Sequence, residues 1–495
     1  MNVIPCTAWV KRGVAAATPE KVQLTPQELE GIIKQTQAEI ENLDTDSDNE
    51  TNENASLTNT NGESHGTSEN DEFNFENYDN EGGDIQCHIG GLAVINPDGK
   101  DPYVTVGDSE DEDSEKDDDI IKPDDNLVLF GRVEGDASIL EVYVYNERED
   151  SFYCHHDILL PSFPLCIEWL NFDPSDSKPG NLCAIGNMTS VIDVWDLDVV
   201  DCLEPAFKLG CKPSKKKNKK RVGHKDAVLD IAWNTNYSHV LASGSVDQTI
   251  LLWDLENGTP VTKLEQFNEK VQSIQWHPQE NQQLLTGCAD KCARIFDCRV
   301  DDTFKTWEAT GEVEKILWNH FDTNYFYLST NNGNIECIDI RQSKHLWEIV
   351  AHEKEITGLS LSLSCPGLLV TSSDDGVIKV WDAIKPEILE PVWEKKTNLG
   401  ALQCLAPCPD NPFVFVVGGD HKSHNYKVWN LLEVSAVSDR FKDRELIQTK
   451  ISENSNGNNT NEFSEEMMDV TDDIESMALQ TASSNGSHKK KKNSK

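Results

Sequence analysis

The sequence predicts an all-β fold: a ring of seven four-stranded blades with one long insertion and a tail. Three observations carry this. A unit of about 40 residues recurs along the chain. Its segments alternate β-branched or aromatic residues with polar ones between polar turns, which is the pattern of strands rather than helix. A tryptophan marks the first segment of most units, and an aromatic–acid pair closes the third.

The clearest unit is HKDAVLDIAWNTNYSHVLASGSVDQTILLWD, from His224 to Asp254. It opens on Gly223-His224, runs as a strand to Trp233, turns, and continues through VLASGS. After a tight turn at Asp247-Gln248 its third strand ends on Trp253-Asp254. Gly-His at one end and Trp-Asp at the other form the WD40 signature. Adding 128 carries His224 to His352, Ser243 to Thr371, Asp247 to Asp375 and Trp253 to Trp381, so one offset serves four positions. Degenerate copies close on Phe296-Asp297 and Ile338-Asp339, and outer ones on Tyr145-Asn146, Trp195-Asp196 and Trp429-Asn430, seven in all. First-strand tryptophans stand at 169, 233, 276 and 318.

The first unit lacks a first strand just upstream of Tyr145. NVIPCTAWV, near the N-terminus, resembles VLDIAW, VQSIQW and VEKILW, with Trp9 as the periodic tryptophan. Residues 1–10 are therefore expected to complete blade one across an insertion of more than 100 residues. A ring with a single seam tolerates this, because each blade covers its neighbour.

Within the insertion, Thr25, Pro26 and Glu28 read as the start of a helix over 25–43, with Leu29, Ile32, Ile33, Ile40 and Leu43 on one face. Residues 44–126 are expected to be a mostly disordered acidic insertion with a short ordered island at 91–106. From Glu39 to Asp125 there are 28 acids and 3 lysines, a large part of the net charge of −43. Ser47, Ser109 and Ser114 precede acids and are phosphorylation candidates. The propeller is expected over 127–450. It carries a basic loop at 212–221 with Lys212, Lys215, Lys216, Lys217, Lys219, Lys220 and Arg221. A disordered tail, 451–495, ends in Lys489, Lys490, Lys491 and Lys492. Two such clusters read as nuclear targeting signals or RNA-phosphate contacts.

His224, Ser243, Asp247 and Trp253, and again His352, Thr371, Asp375 and Trp381, are expected to form a structural hydrogen-bond network tying turn to strand. Recurrence at blade spacing argues against a catalytic reading of histidine, aspartate and serine. Blades four and five lack the histidine and the Trp-Asp pair, so plain packing is expected to hold them. Cys404, Cys408, His421 and His424 approximate a zinc spacing, but one gap is short and no finger helix follows. No phosphate-binding loop, metalloprotease motif or nucleophile elbow is present. The expectation is no enzyme, no cofactor and no metal. The fourteen cysteines read as reduced and intracellular, and no apolar run is long enough to span a bilayer.

Beyond the repeats, the chain resembles the periodic tryptophan protein 1 family. The likeness runs through CTAWVKRGVA, DPYVTV, EVYVYNEREDSFYCHHDILLP, EWLNFDPS, NMTSVIDVWDLDVVDCLEP with the lysines after it, and GHKDAVLDIAWN. The resemblance implies a nuclear and nucleolar protein of ribosome biogenesis, acting in pre-ribosomal RNA processing for the large subunit. It further implies association with chromatin and ribosomal-DNA transcription. The expected partners are pre-ribosomal particles and assembly factors, histones through the acidic insertion, and RNA through the lysines. No membrane is involved, and the protein is expected to act as a monomer within larger complexes. The alternative is a substrate receptor of a cullin-type ubiquitin ligase, suggested by Asp297-x-Arg299 and Asp339-x-Arg341 in adjacent blades.

Overall fold

Seven antiparallel sheets make the ring, and the strand ends fall where the repeat places them. The computed structural model describes residues 2–22, 120–175, 179–213, 220–300 and 304–447. The helix expected at 25–43, the island 91–106, Ser47, Ser109, Ser114, Lys215, Lys216, Lys217, Lys219 and the tail 451–495 with its lysines lie outside those residues.

Blade three shows why these residues form strands. Val228–Trp233 lies innermost, followed outward by Val240–Ser245, Ile250–Asp254 and Thr259–Leu264. The middle two strands are buried on both faces, because a neighbouring blade covers each side; they read as near-continuous apolar runs. The outer strand mixes exposed and half-buried positions. The turn between the second and third strands needs one residue with positive φ. Gln248 and Lys291 supply it in blades three and four, Gly333 and Gly376 in blades five and six. Glycine adopts that conformation freely and the other two do not.

Asn2–Val10 pairs antiparallel with Asn126–Glu134, Trp9 opposite Val128, as the innermost strand of a four-stranded blade one. It packs between the innermost strands of blade two, Pro164–Leu170, and blade seven, Leu402–Pro407, which closes the ring. Trp9 Nε1 donates to Ala406 O at 3.2 Å, and Asn126 Nδ2 and the Arg12 amide both donate to Asp410. The periodicity predicts an insertion reaching residue 126. In the structure Ile121 is already in the core and Asn126 is fully buried. At the near end of the insertion, Glu20–Lys21 runs parallel to Val199–Val200 of blade two, a pairing too short to read from sequence.

Blade seven departs from the rest. Among the described residues it has three strands, Leu402–Pro407, Val414–Gly419 and Tyr426–Asn430. Where a fourth strand would follow, a 3-10 turn, Leu431–Glu433, leads into a helix, Ser435–Phe441. Val437 and Phe441 bury among Phe413, Leu431 and Trp429. Arg440 and Arg444 from this segment reach Asp382 of blade six, Arg444 bidentately at 2.7 and 2.9 Å. Among the described residues no helix is long and apolar enough to cross a membrane.

Candidate functional site

The eight network residues come together in two sets of four. In blade three, His224 Nδ1 lies 3.2 Å from the Asp247 carboxylate, which can only accept, so this nitrogen carries the proton. His224 Nε2 then accepts from the Ser243 hydroxyl at 2.7 Å, and Ser243 Oγ accepts from Trp253 Nε1 at 2.8 Å. Blade six repeats the chain: His352 to Asp375 at 3.1 Å, His352 to Thr371 at 2.8 Å, Trp381 to Thr371 at 3.0 Å. Burial pushes the Asp247 carboxyl up, but hydrogen bonds from His224, Thr249 and the Lys225 amide outweigh it and hold the group well below the usual range. His352 is pushed below its ordinary value by burial, which outweighs Asp375. Ser243 and Thr371 are completely buried and their oxygens are spent on tryptophan. An arrangement that looks like a hydrolytic triad thus offers no approach to a substrate.

Blades four and five are not held by packing alone. Asp290 stands six residues before Phe296, as Asp247 does before Trp253, and Phe267 occupies the histidine position. With no imidazole to meet, Asp290 takes the Arg294 guanidinium bidentately, at 2.6 and 3.1 Å, with both side chains buried. The guanidinium also lies over the Phe267 ring. In blade five Glu336, fully buried, accepts from the amide and hydroxyl of Thr310. The buried polar joint is kept and its chemistry is exchanged, since an orphaned carboxylate in a dry blade is costly. The constant offset of Asp290 was the available signal. Blade two is the reverse case. Ile185 replaces the serine, and Trp195 Nε1 finds no partner among the described residues.

Around the ring's axis, side chains of one innermost strand accept backbone amides of the next. Glu168 takes the Trp233 amide at 3.1 Å, Asp230 the Ile274 amide at 2.8 Å, and Gln275 the Trp318 amide at 2.8 Å. Sequence reasoning missed this stitching, because the residues look like ordinary polar positions of an amphipathic strand. Glu168 is half-buried, and loss of hydration on burial pushes its carboxyl up to about 8.

Arg299 and Arg341 each fold back onto the aspartate two residues before. Arg299 holds Asp297 at 2.7 and 3.0 Å, and Arg341 holds Asp339 at 2.8 Å twice while donating to the Tyr325 hydroxyl. In blade six the matching Asp382 gets its arginines from the segment after blade seven instead, Arg440 in the helix and Arg444 just beyond its end. In blades four, five and six the carboxylate at the end of the third strand is thus met by a guanidinium. The zinc-like set does not gather: Cys404 Sγ donates to Ile4 O, Cys408 Sγ to Asn126 Oδ1, and His421 Nδ1 accepts amides of its own turn.

Of the basic loop, Lys212, Lys220 and Arg221 are described, and all three are exposed. Cys211 and Val222 pair across its neck, and Arg221 donates to the carbonyls of His224 and Lys225. The loop joins blade two's last strand to blade three's first, whereas the acidic insertion joins the first and second strands of blade one. Adjacent strands run antiparallel, so the two charged segments are rooted on opposite faces of the ring.

Compared with known proteins, the family model described as WD domain, G-beta repeat matches residues 215–254, 258–297 and 343–382, the units of blades three, four and six. The chain is 45% identical to the Periodic tryptophan protein 1 homolog of Drosophila melanogaster, over 89% of this chain and 96% of that one. It is 29% identical to Periodic tryptophan protein 1 of Saccharomyces cerevisiae, over 91% and 92%. A shorter likeness, 30% over 32% of this chain and 36% of the other, is to the Ribosome biogenesis protein WDR12 homolog of Caenorhabditis briggsae.

Proposed function

The chain belongs to the periodic tryptophan protein 1 family, and from that premise we propose that it is a non-enzymatic scaffold of ribosome biogenesis. In this reading it works in the nucleus and nucleolus, in pre-ribosomal RNA processing and assembly of the large subunit. The observation that carries the reading is a likeness over 89% of the chain, not one repeat of it. A protein named for ribosome biogenesis also matches, over about a third of the chain.

The geometry supports a scaffold in a second way. The histidines and aspartates that could have done chemistry are spent on internal joints. The strongly charged segments, by contrast, interrupt the chain between strands and not within them. We assign nuclear targeting or RNA contact to the lysine clusters, and contact with histones and chromatin, including ribosomal-DNA transcription units, to the acidic insertion. Phosphates on Ser47, Ser109 and Ser114 would deepen that negative charge. The ligase-receptor alternative requires Arg299 and Arg341 to reach an adaptor, yet both guanidiniums are engaged by their own aspartates.

Depletion and rescue test the reading. Loss of the protein should accumulate unprocessed large-subunit precursor RNA, and the Arg299→Ala, Arg341→Ala double variant should restore maturation, since exposed ion pairs contribute below about 1 kcal/mol. Failure of that variant to rescue, together with loss of a cullin adaptor from its purified complexes, would replace the scaffold by the ligase receptor.

A further inference from the structure

Among the described residues the third strand of blade seven, Tyr426–Asn430, is an open sheet edge. Backbone bonds from the Gly419 amide to Asn425 O and from the Leu431 amide to Phe413 O bracket its pairing with Val414–Gly419. Alternation along an antiparallel pair then turns the backbone of Lys427 and Trp429 toward that neighbour, and that of Tyr426, Val428 and Asn430 outward. In blade three the matching residues, Ile250, Leu252 and Asp254, face Leu264, Thr262 and Thr259 of a fourth strand. In blade six the matching Ile378, Val380 and Asp382 face Lys395, Trp393 and Glu390. In blade seven the outward amides and carbonyls find no backbone partner among the described residues. The helix that follows does not fill the place, because it packs against the last strand of blade six.

The surroundings specify what would fill it. Two ammonium groups lie over the Trp429 ring beside the edge, Lys427 at 4.3 Å and Lys395 at 5.1 Å from its centroid. Neither has a carboxylate partner among the described residues, in a chain with 87 acids against 44 bases. Lysine beside an open edge disfavours pairing with a second copy, which would bring the same charges together. It favours a strand of opposite sign.

We propose that blade seven is a docking site for an acidic, extended segment of a partner protein, added antiparallel to Tyr426–Asn430 as the missing fourth strand. Main-chain bonds to residues 426, 428 and 430 would give affinity, and carboxylates meeting Lys395 and Lys427 would give selectivity. The proposal rests on the scaffold reading and names one surface through which a scaffold would hold a client.

The test uses the purified full-length chain and a short labelled peptide alternating glutamate with valine, with lysine in place of glutamate as control. Expected are binding of the acidic peptide alone and slowed hydrogen exchange at the amides of Tyr426, Val428 and Asn430. Val428→Pro, which deletes one outward donor at an edge that tolerates proline, should abolish binding with the melting temperature unchanged. Lys395→Glu with Lys427→Glu should weaken it by about tenfold or more, a readout that stands even if the proline variant fails to fold. Equal binding of both peptides, or exchange protection elsewhere on the ring, would overturn the proposal. So would protection of these three amides in the peptide-free chain that vanishes on truncation after Ile447, which would give the place to the chain's own C-terminal segment. None of these results bears on the rescue of RNA maturation, so the two readings fail separately.

Discussion

A single hydroxyl joins the two halves of the blade-three network: Ser243 donates to His224 and accepts from Trp253. Removing it orphans a buried imidazole nitrogen and a buried indole N–H together. Ser243→Ala is therefore expected to cost about 2 kcal/mol or more. Thr286→Ala, whose hydroxyl bonds only the Arg294 carbonyl, should cost clearly less. Denaturant midpoints of the two variants decide the matter, and equal losses would remove the special role of Ser243. Glu168 makes a pH-dependent contribution. Its carboxyl sits at about 8 in the folded chain against about 4.3 when unfolded, so the folded state keeps a proton that the unfolded state releases. Its contribution is fully present below the unfolded value and is lost as pH rises through about 8. Glu168→Gln keeps an oxygen for the Trp233 amide and removes the titration. Its melting temperature should match the parent near pH 4, exceed it increasingly as pH rises from about 4 to about 8, and level off above that. Parallel pH profiles would contradict this.

At the scale of elements, Asn2–Val10 matters out of proportion to its length. It pairs with one strand of its own blade and touches the innermost strands of both neighbours. Deleting residues 1–10 opens a sheet edge and strips Ile4, Trp9 and Val10 from the core at once. The whole ring should melt at least about 5 °C lower, in one shifted transition. An unchanged melting temperature would show that the ring does not depend on this strand. The tryptophan spacing made the strand recognisable, since Trp9 fits the first-strand pattern across the insertion. The segment Ser435–Phe441 gave no comparable signal. It is only seven residues long, its N-cap residue Val434 makes no side-chain cap, and it is held by tertiary contacts through Val437, Phe441 and Arg440.

Over the whole molecule, residues 39–125 alone carry −25 of the net charge of −43, from 28 acids and 3 lysines. The ring tolerates lysines and acids in its connections because a loop contributes few buried contacts. Replacing the basic residues of 212–221 together with Lys489 to Lys492 by serine should shift the protein from nucleolus to nucleoplasm or cytoplasm. Its melting temperature should stay put. Unaltered nucleolar enrichment, read by fluorescence of the tagged variant, would remove targeting from these clusters.

The sequence by itself determined the seven-fold repeat, the strand ends and the two network sets, because each rests on local periodicity: a strand buried on both sides must be apolar, and a buried indole and imidazole must carry their partners at a fixed offset. It also exposed the family likeness. Tertiary structure alone decided what replaces a missing partner. The sequence shows that blade four lacks its histidine, but not that Arg294 swings in to meet Asp290. Nor does it show that Glu168, Asp230 and Gln275 stitch neighbouring blades, or that a helix leaves blade seven one strand short. Those outcomes depend on which groups, distant in the chain, are left facing one another once the ring has closed. A buried charge or amide takes the nearest group able to satisfy it, and no local pattern records which group that will be.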